Sequence, residues 1–145
     1  MQPFAHSETN SPPHAPWNKG RMTGQKPPLK PQEIWSIRTL LKIKGRTRDL
    51  ALFNLAIDSK LRACDIVKLR TSDVMRSGAV MSRASVIQQK TGMPVRFEIT
   101  DQTREAVQQW VSGAGLIGDT WLFPSRCLHG AHITTRQYAR IVKAW

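Results

Sequence analysis

The spacing of apolar residues predicts several helices and one β-hairpin. Pro31 and Glu33 are typical of a helix start, and apolar residues recur every three or four positions after them. A second helical pattern follows Arg48, and a short third helix begins near Arg62. The core-facing positions predicted for the first two helices are Ile34, Ile37, Leu40, Leu41, Leu50, Phe53, Asn54 and Ile57. A turn is predicted over 71–74.

The pattern changes to alternation in the middle of the chain, and the alternation is strict in Val95-Arg96-Phe97-Glu98-Ile99. Apolar and polar residues alternate over 79–88 and again over 93–100, as in half-buried strands. Gly92 lies between the two segments and allows a tight turn. The pattern therefore predicts an antiparallel hairpin with Lys90 at or beside its tip.

Helical spacing returns after the hairpin. Asp101 and Thr103 are candidate N-caps for a fourth helix that ends at 113–115, and 122–125 is a short buried segment. The pattern over 133–145 predicts a last helix, with Ile141, Val142 and Trp145 facing the core. The predicted fold class is α+β: mostly helical, with a small antiparallel β-hairpin or sheet.

Proline usage separates a leader from this domain. Seven of the nine prolines fall between Pro3 and Pro31. Proline lacks a backbone donor, and a segment this poor in apolar residues cannot bury a core. We expect residues 1–28 to form a flexible, Pro-rich, basic leader, and residues 29–145 to form the folded domain.

Charge suggests the class of partner. The 145 residues contain 22 Lys and Arg against 10 Asp and Glu, a formal net charge of +12. Such an excess favours a polyanion, and nucleic acid is the first candidate. No apolar run is long enough to span a membrane, and two cysteines are too few for a disulfide framework. We expect no cofactor, no metal and no membrane association.

Four short motifs follow one another along the chain. They are Leu61-Arg62-Ala63-Cys64-Asp65-Ile66-Val67-Lys68-Leu69, Ser72-Asp73-Val74, Lys90-Thr91 and Leu122-Phe123-Pro124-Ser125. In this order and at these gaps they resemble the first half of the catalytic domain of the tyrosine recombinases, the phage integrase family. The resemblance covers roughly 29–145. It implies a DNA breaking-rejoining fold and a role in DNA integration and recombination.

The resemblance also implies roles for three residues. Family members cut DNA without a metal, through attack of a tyrosine hydroxyl on phosphate and a 3′-phosphotyrosine intermediate. Arg62 would be the first of two arginines that stabilise the charged phosphorane, because a guanidinium donates two parallel hydrogen bonds. Lys90 would be the general acid for the leaving 5′-oxygen. Asp65 would orient Arg62.

The match to the family is incomplete. His129 and His132 do not fit the family's H-x-x-R motif, and the only tyrosine, Tyr138, precedes the place for a second arginine. We expect Tyr138 to be a packing or groove residue. The expectation is therefore a partial catalytic domain, truncated and inactive alone, whose status as an enzyme stays open. Family members form tetramers on DNA by exchanging a C-terminal segment. That segment is not expected in this chain, so we expect a monomer. The expected location is the nucleoid, in a bacterial or phage cytoplasm.

Double-stranded DNA is the expected partner. The predicted DNA-binding residues share a basic side chain and positions around the motifs: Arg46, Arg48, Lys60, Arg62, Lys68, Arg70, Arg83, Lys90 and Arg96. Two alternatives stay open. One is a non-catalytic DNA-binding regulator or decoy derived from a recombinase, and the other is an unrelated basic helical domain that binds RNA or a ribosome. In the second case Arg62 and Lys90 would contribute only their charge.

Overall fold

A computed structural model describes residues 19–20, 24 and 27–145, so the predicted leader lies almost entirely outside the described residues and its flexibility stays a prediction. Six helices and four short strands follow one another. The helices are α1 (Pro31–Ile43), α2 (Thr47–Ser59), α3 (Ala63–Ile66), α4 (Thr71–Val74), α5 (Asp101–Ala114) and α6 (Thr135–Lys143). The strands are β1 (Met75–Arg76), β2 (Ala79–Val80), β3 (Arg83–Ile87) and β4 (Pro94–Glu98). This confirms the α+β class.

The core is built around α2. All positions from Asp49 to Leu55 are buried, so this helix is covered on every side, and it packs against α1, α5 and β4. A helix that is apolar all round belongs in the interior rather than at the surface. Asp49 and Asn54 are the polar exceptions, and the Asn54 Oδ1 accepts a 2.7 Å bond from the Arg38 Nε. On α1 the prediction was partly wrong: Leu41 is buried, but Leu40 is exposed.

The end of α2 fixes the elements that follow. Lys60 adopts a left-handed conformation (φ 52°) that ends the helix and turns the chain toward α3. The Asp58 carboxylate accepts hydrogen bonds from both the backbone N–H and the hydroxyl of Thr100, each 2.9 Å long. Thr100 is the N-cap of α5, in place of the predicted Asp101 or Thr103. One helix end therefore positions both α3 and the start of α5.

The structure has two hairpins, the predicted one that carries Lys90 and a shorter one before it. The first joins β1 to β2 through Ser77 and Gly78, both with positive φ, which is the two-residue turn that matches strand twist. The second pairs β3 with β4 in antiparallel register, Ala84 opposite Phe97. The predicted strand 79–88 is thus interrupted at 81–82, and the predicted turn at 71–74 is one turn of helix.

In the last third of the chain, a few separate apolar side chains complete the core. Leu122, Phe123 and Ile133 are buried, which confirms the short buried segment. The last helix begins at Thr135, later than predicted. Its inward side includes Ile141. Trp145, just beyond the end of the helix, also packs against the core, and its ring meets Phe53 edge to face at 5.1 Å.

Val142 faces solvent, with 40% of its surface exposed, so its predicted inward orientation was wrong. A nine-residue helix resting on one face of a domain buries only a narrow stripe. Val142 lies about 100° around the helix from Ile141, and this rotation places it outside the stripe.

Candidate nucleic-acid interface

Arg62 lies at the N-cap of α3, on the turn that leaves α2. The preceding residues are fixed by the left-handed Lys60 and by a 3.3 Å bond from the Leu61 N–H to the Ser59 hydroxyl. The Arg62 side chain is exposed, and it forms no ion pair with any residue in the described part of the chain. Its guanidinium is therefore available to an external anion.

Asp65 connects α3 to the β3–β4 hairpin. Its side chain is only 7% exposed, and its Oδ1 accepts a 2.9 Å hydrogen bond from the backbone N–H of Gln89. The Lys68 ammonium adds a 2.9 Å bond to the Gln89 side-chain oxygen. The second Asp65 oxygen, Oδ2, has no partner among residues 27–145. A buried carboxylate that accepts a backbone N–H is a strong, directional link.

The family resemblance predicted a different contact for Asp65. The carboxylate was expected to orient Arg62, whereas the hydrogen bond that it makes goes to the hairpin. Gln89 directly precedes Lys90, so Asp65 holds the backbone next to the lysine. Because Asp65 and Arg62 both belong to the start of α3, the same contact keeps Arg62 and Lys90 on adjoining elements. The orienting role toward Arg62 stays a prediction.

Lys90 is exposed in the turn of this hairpin. The turn closes through a 2.9 Å bond from the Gln88 N–H to the Met93 carbonyl and a 2.8 Å bond from the Gly92 N–H to the Gln88 carbonyl. Gly92 has φ +65°, a conformation that a residue with a Cβ rarely adopts. The Thr91 hydroxyl adds a 3.0 Å bond to the Gln88 side chain. The loop that carries Lys90 is thus ordered before any ligand arrives.

The other predicted DNA-binding residues separate into two groups. Lys60, Lys68 and Arg96 are exposed and have no ion-pair partner in the described ranges. Four others are already paired: Arg46 and Arg48 with the buried Asp49, Arg70 with Asp119, and Arg83 with Glu98.

The structure does not bring all nine residues to one place. Arg46 and Arg48 lie at the N-terminal end of α2, and Lys60 lies at its C-terminal end. A 13-residue helix separates its ends by about 20 Å. Arg46 and Arg48 are therefore remote from the turn that carries Arg62.

Arg70 has a structural environment of its own. Its Nε lies 3.1 Å from the Asp119 carboxylate, and its guanidinium carbon lies 4.6 Å from the centre of the Trp121 ring. A hydrogen bond from Ser72, opposed by desolvation and assisted by the positive charge of Arg70, lowers the pKa of Asp119. The ionised carboxylate and the aromatic face both favour the cation where it is. Arg70 is thus engaged in joining α4 to the segment before Trp121.

A basic face on α6 was missed by the sequence reasoning. Arg136, Arg140 and Lys143 are all exposed, and their spacing of four and three residues aligns them on one side of the helix. None of the three forms an ion pair within the described part of the chain. α6 packs against α3, the helix that Arg62 caps. The i, i+4, i+7 spacing was visible in the sequence.

Tyr138 lies on the opposite side of α6, packed against the core. Burial raises the pKa of its phenol, so the reactive phenolate is disfavoured there. This position agrees with the expected packing role. Residues 19–20, 24 and 27–145 contain no group of three or more His, Cys, Asp or Glu side chains arranged to hold a metal ion, and no helix among them is long and apolar enough to cross a membrane.

Comparisons with known proteins identify relatives of this fold. The sequence profile described as "Phage integrase family" matches residues 28–145. A search of curated proteins found no match. Among solved structures, the crystal structure of XerA recombinase superimposes with a TM-score of 0.66 at 15% sequence identity. The superposition covers 83% of this chain and 42% of the XerA chain, so this chain spans less than half of that protein.

Hydrogen exchange of the Gln89 amide tests the Asp65–Gln89 contact. Asp65→Ala removes the acceptor for the Gln89 N–H, and we expect that amide to lose about tenfold or more of its protection from hydrogen exchange. Asp65→Asn keeps an acceptor oxygen and should retain most of the protection. Glu98→Ala, which removes an exposed partner of Arg83, is the matched control and should leave the Gln89 amide unchanged. Equal exchange in Asp65→Ala and the unaltered chain would show that the contact does not hold the hairpin.

Proposed function

This chain belongs to the phage integrase family, and we propose that it binds duplex DNA and supplies a phosphate-binding arginine and a proton-donating lysine to strand cleavage. The observation that carries the proposal is the link between α3 and the hairpin. Asp65 connects the element that presents Arg62 to the loop that presents Lys90. Arg62 and Lys90 are exposed cations on two elements that a hydrogen bond holds together. Such a pair can bind one phosphate at the same time, which two unconnected surface charges do less well.

The two side chains suit the two demands of phosphoryl transfer. The attacked phosphate gathers negative charge on its non-bridging oxygens, and the planar guanidinium of Arg62 can donate two parallel hydrogen bonds to them. The leaving 5′-oxygen needs a proton as its bond to phosphorus breaks. The Lys90 ammonium can donate that proton, and the ordered hairpin reduces the entropy lost in positioning it.

We propose that the wider binding surface consists of Arg62, Lys90 and the basic face of α6. The cations of this face lie on the helix that packs against α3, and they have no competing carboxylate in the described part of the chain. Contacts of this kind are made to the phosphate backbone, so they provide affinity without much sequence preference. A monomeric chain located at the nucleoid remains part of the proposal.

Salt dependence tests the α6 surface. The triple variant Arg136→Ala, Arg140→Ala, Lys143→Ala should bind a fluorescent duplex more weakly and less steeply with salt, because each lost phosphate contact removes about 0.9 from the slope of log K against log salt concentration. We expect the slope to fall by up to about 3, measured by fluorescence anisotropy. Arg104→Ala is the matched control, since that arginine already pairs with Asp101. A slope equal to that of the unaltered chain would exclude α6 from the interface.

A charge-preserving change tests Arg62. Arg62→Lys keeps the positive charge but loses the planar fork, and we expect about five- to tenfold weaker duplex binding with an unchanged salt slope. Binding of the same variant to a structured RNA tests the alternative of an unrelated basic RNA-binding domain. Such a domain would use Arg62 only for its charge, so Arg62→Lys would bind both RNA and duplex DNA as tightly as the unaltered chain. Equal affinity of Arg62→Lys and the unaltered chain for duplex DNA would contradict a bidentate phosphate contact.

A non-catalytic DNA-binding role is the second candidate, and Tyr138 favours it. The only tyrosine in these 145 residues is packed against the core with a raised pKa, so it is a poor nucleophile. We expect this chain to form no covalent adduct with a nicked duplex that traps phosphotyrosine, as judged on a denaturing gel. An adduct that disappears in Tyr138→Phe would overturn the non-catalytic reading and assign the nucleophile.

A further inference from the structure

One side-chain amide in the core has no acceptor for its N–H groups. Asn54, in the middle of α2, is fully buried, and its Nδ2 has no hydrogen-bond partner among the residues that the structure describes. Its Oδ1 accepts the 2.7 Å bond from the Arg38 Nε. Because that nitrogen can only donate, the amide oxygen must face Arg38 and the NH₂ group must point elsewhere. A buried donor without an acceptor is costly, so we expect a partner for it.

A small cavity adjoins this amide where α1, α2 and α5 meet. Its volume is about 50 Å³, and Asn54 belongs to its lining together with the apolar side chains of Leu50 and Ala106. The exposed Gln102 and Gln109 also line it, and their amides can turn a donor inward. A water molecule occupies about 30 Å³ in the liquid, so the cavity admits a water or a monatomic ion rather than an organic ligand.

The charges around the cavity favour an anion over water. Arg38 and Lys42, one helical turn apart on α1, both line the cavity, and neither forms an ion pair in the described part of the chain. Among the described residues of the lining, only Glu105 carries a carboxylate. Glu105 is exposed and pairs with neither cation. Two cations and a buried N–H donor outweigh one solvated carboxylate.

We propose that this cavity is a binding site for a halide ion such as chloride, with the Asn54 Nδ2 as its buried donor and Arg38 and Lys42 as its counter-charges. The ion supplies the acceptor that the amide lacks, and it reduces the repulsion between the two cations. The lining comes from α1, α2 and α5, so a bound ion stabilises the packing of all three helices by mass action. None of the lining residues belongs to the surface proposed for DNA, and the inference is therefore independent of DNA binding.

Replacement of sodium gluconate by sodium chloride tests the site in the full chain, because ionic strength and screening then stay constant. We expect the side-chain amide NMR signals of Asn54 to shift and saturate, and the midpoint of thermal unfolding to rise with chloride.

Three variants sharpen this test. Lys42→Gln should bind chloride up to about fivefold more weakly, the size expected for one exposed charge. Lys44→Gln is the matched control, since Lys44 is also exposed near the end of α1 but does not line the cavity. Asn54→Asp replaces the donor by a carboxylate that can still accept from Arg38, and the thermal midpoint of this variant should no longer depend on chloride. Lys42→Gln changes a surface position, so it decides the question even if Asn54→Asp does not fold.

The outcomes distinguish a halide from a buried water. A saturable shift that Lys42→Gln weakens and Lys44→Gln leaves unchanged supports the halide site. A shift that grows linearly with chloride, or one that is the same in both lysine variants, shows a general salt effect and overturns the inference. Absence of any shift leaves water as the partner of Asn54 and overturns it as well. A crystal grown in sodium bromide gives a direct check, because bromide in the cavity has an anomalous signal that water lacks.

Discussion

Burial of α2 is the constraint on which the other elements depend. Seven consecutive positions of this helix are inside the protein, so α1, α5 and β4 must each cover part of it. The helix can end only where its surroundings allow the chain to turn, and the left-handed Lys60 makes that turn. Arg62 follows two residues later. The position of the arginine is therefore a consequence of core packing, to which the apolar residues of α2 contribute most.

Polar contacts at the edge of this core fix the positions of the elements that surround Arg62 and Lys90. Asp58 joins the end of α2 to the N-cap of α5, and Asp65 joins α3 to the hairpin. Both use a carboxylate to accept a backbone N–H, a bond that constrains the position of the chain rather than of a side chain. The hairpin is a two-stranded ribbon, which has little stability by itself, so its orientation depends on such contacts.

The basic residues differ in whether their charge is already paired within the protein or available to a ligand. Asp49, Asp119 and Glu98 each occupy one or two arginines, and those pairs join parts of the fold. Arg62 at the start of α3, Lys90 at the hairpin tip and the three cations of α6 are among those that lack a carboxylate partner in the described part of the chain. A net charge of +12 describes the whole sequence, but the distribution of these partners decides where the positive field reaches solvent.

The sequence by itself determined the α+β class, the family and the identity of Arg62 and Lys90 as candidates, because periodicity and motif order are local properties of the chain. It also allowed the buried Leu122–Phe123 segment and the hairpin to be predicted. Tertiary structure decided which partner each charged group takes. Asp65 bonds to Gln89, 24 residues away, and Val142 faces solvent because α6 rests on the domain by one narrow face. Such outcomes depend on which surfaces meet across the fold, and sequence spacing does not contain that information.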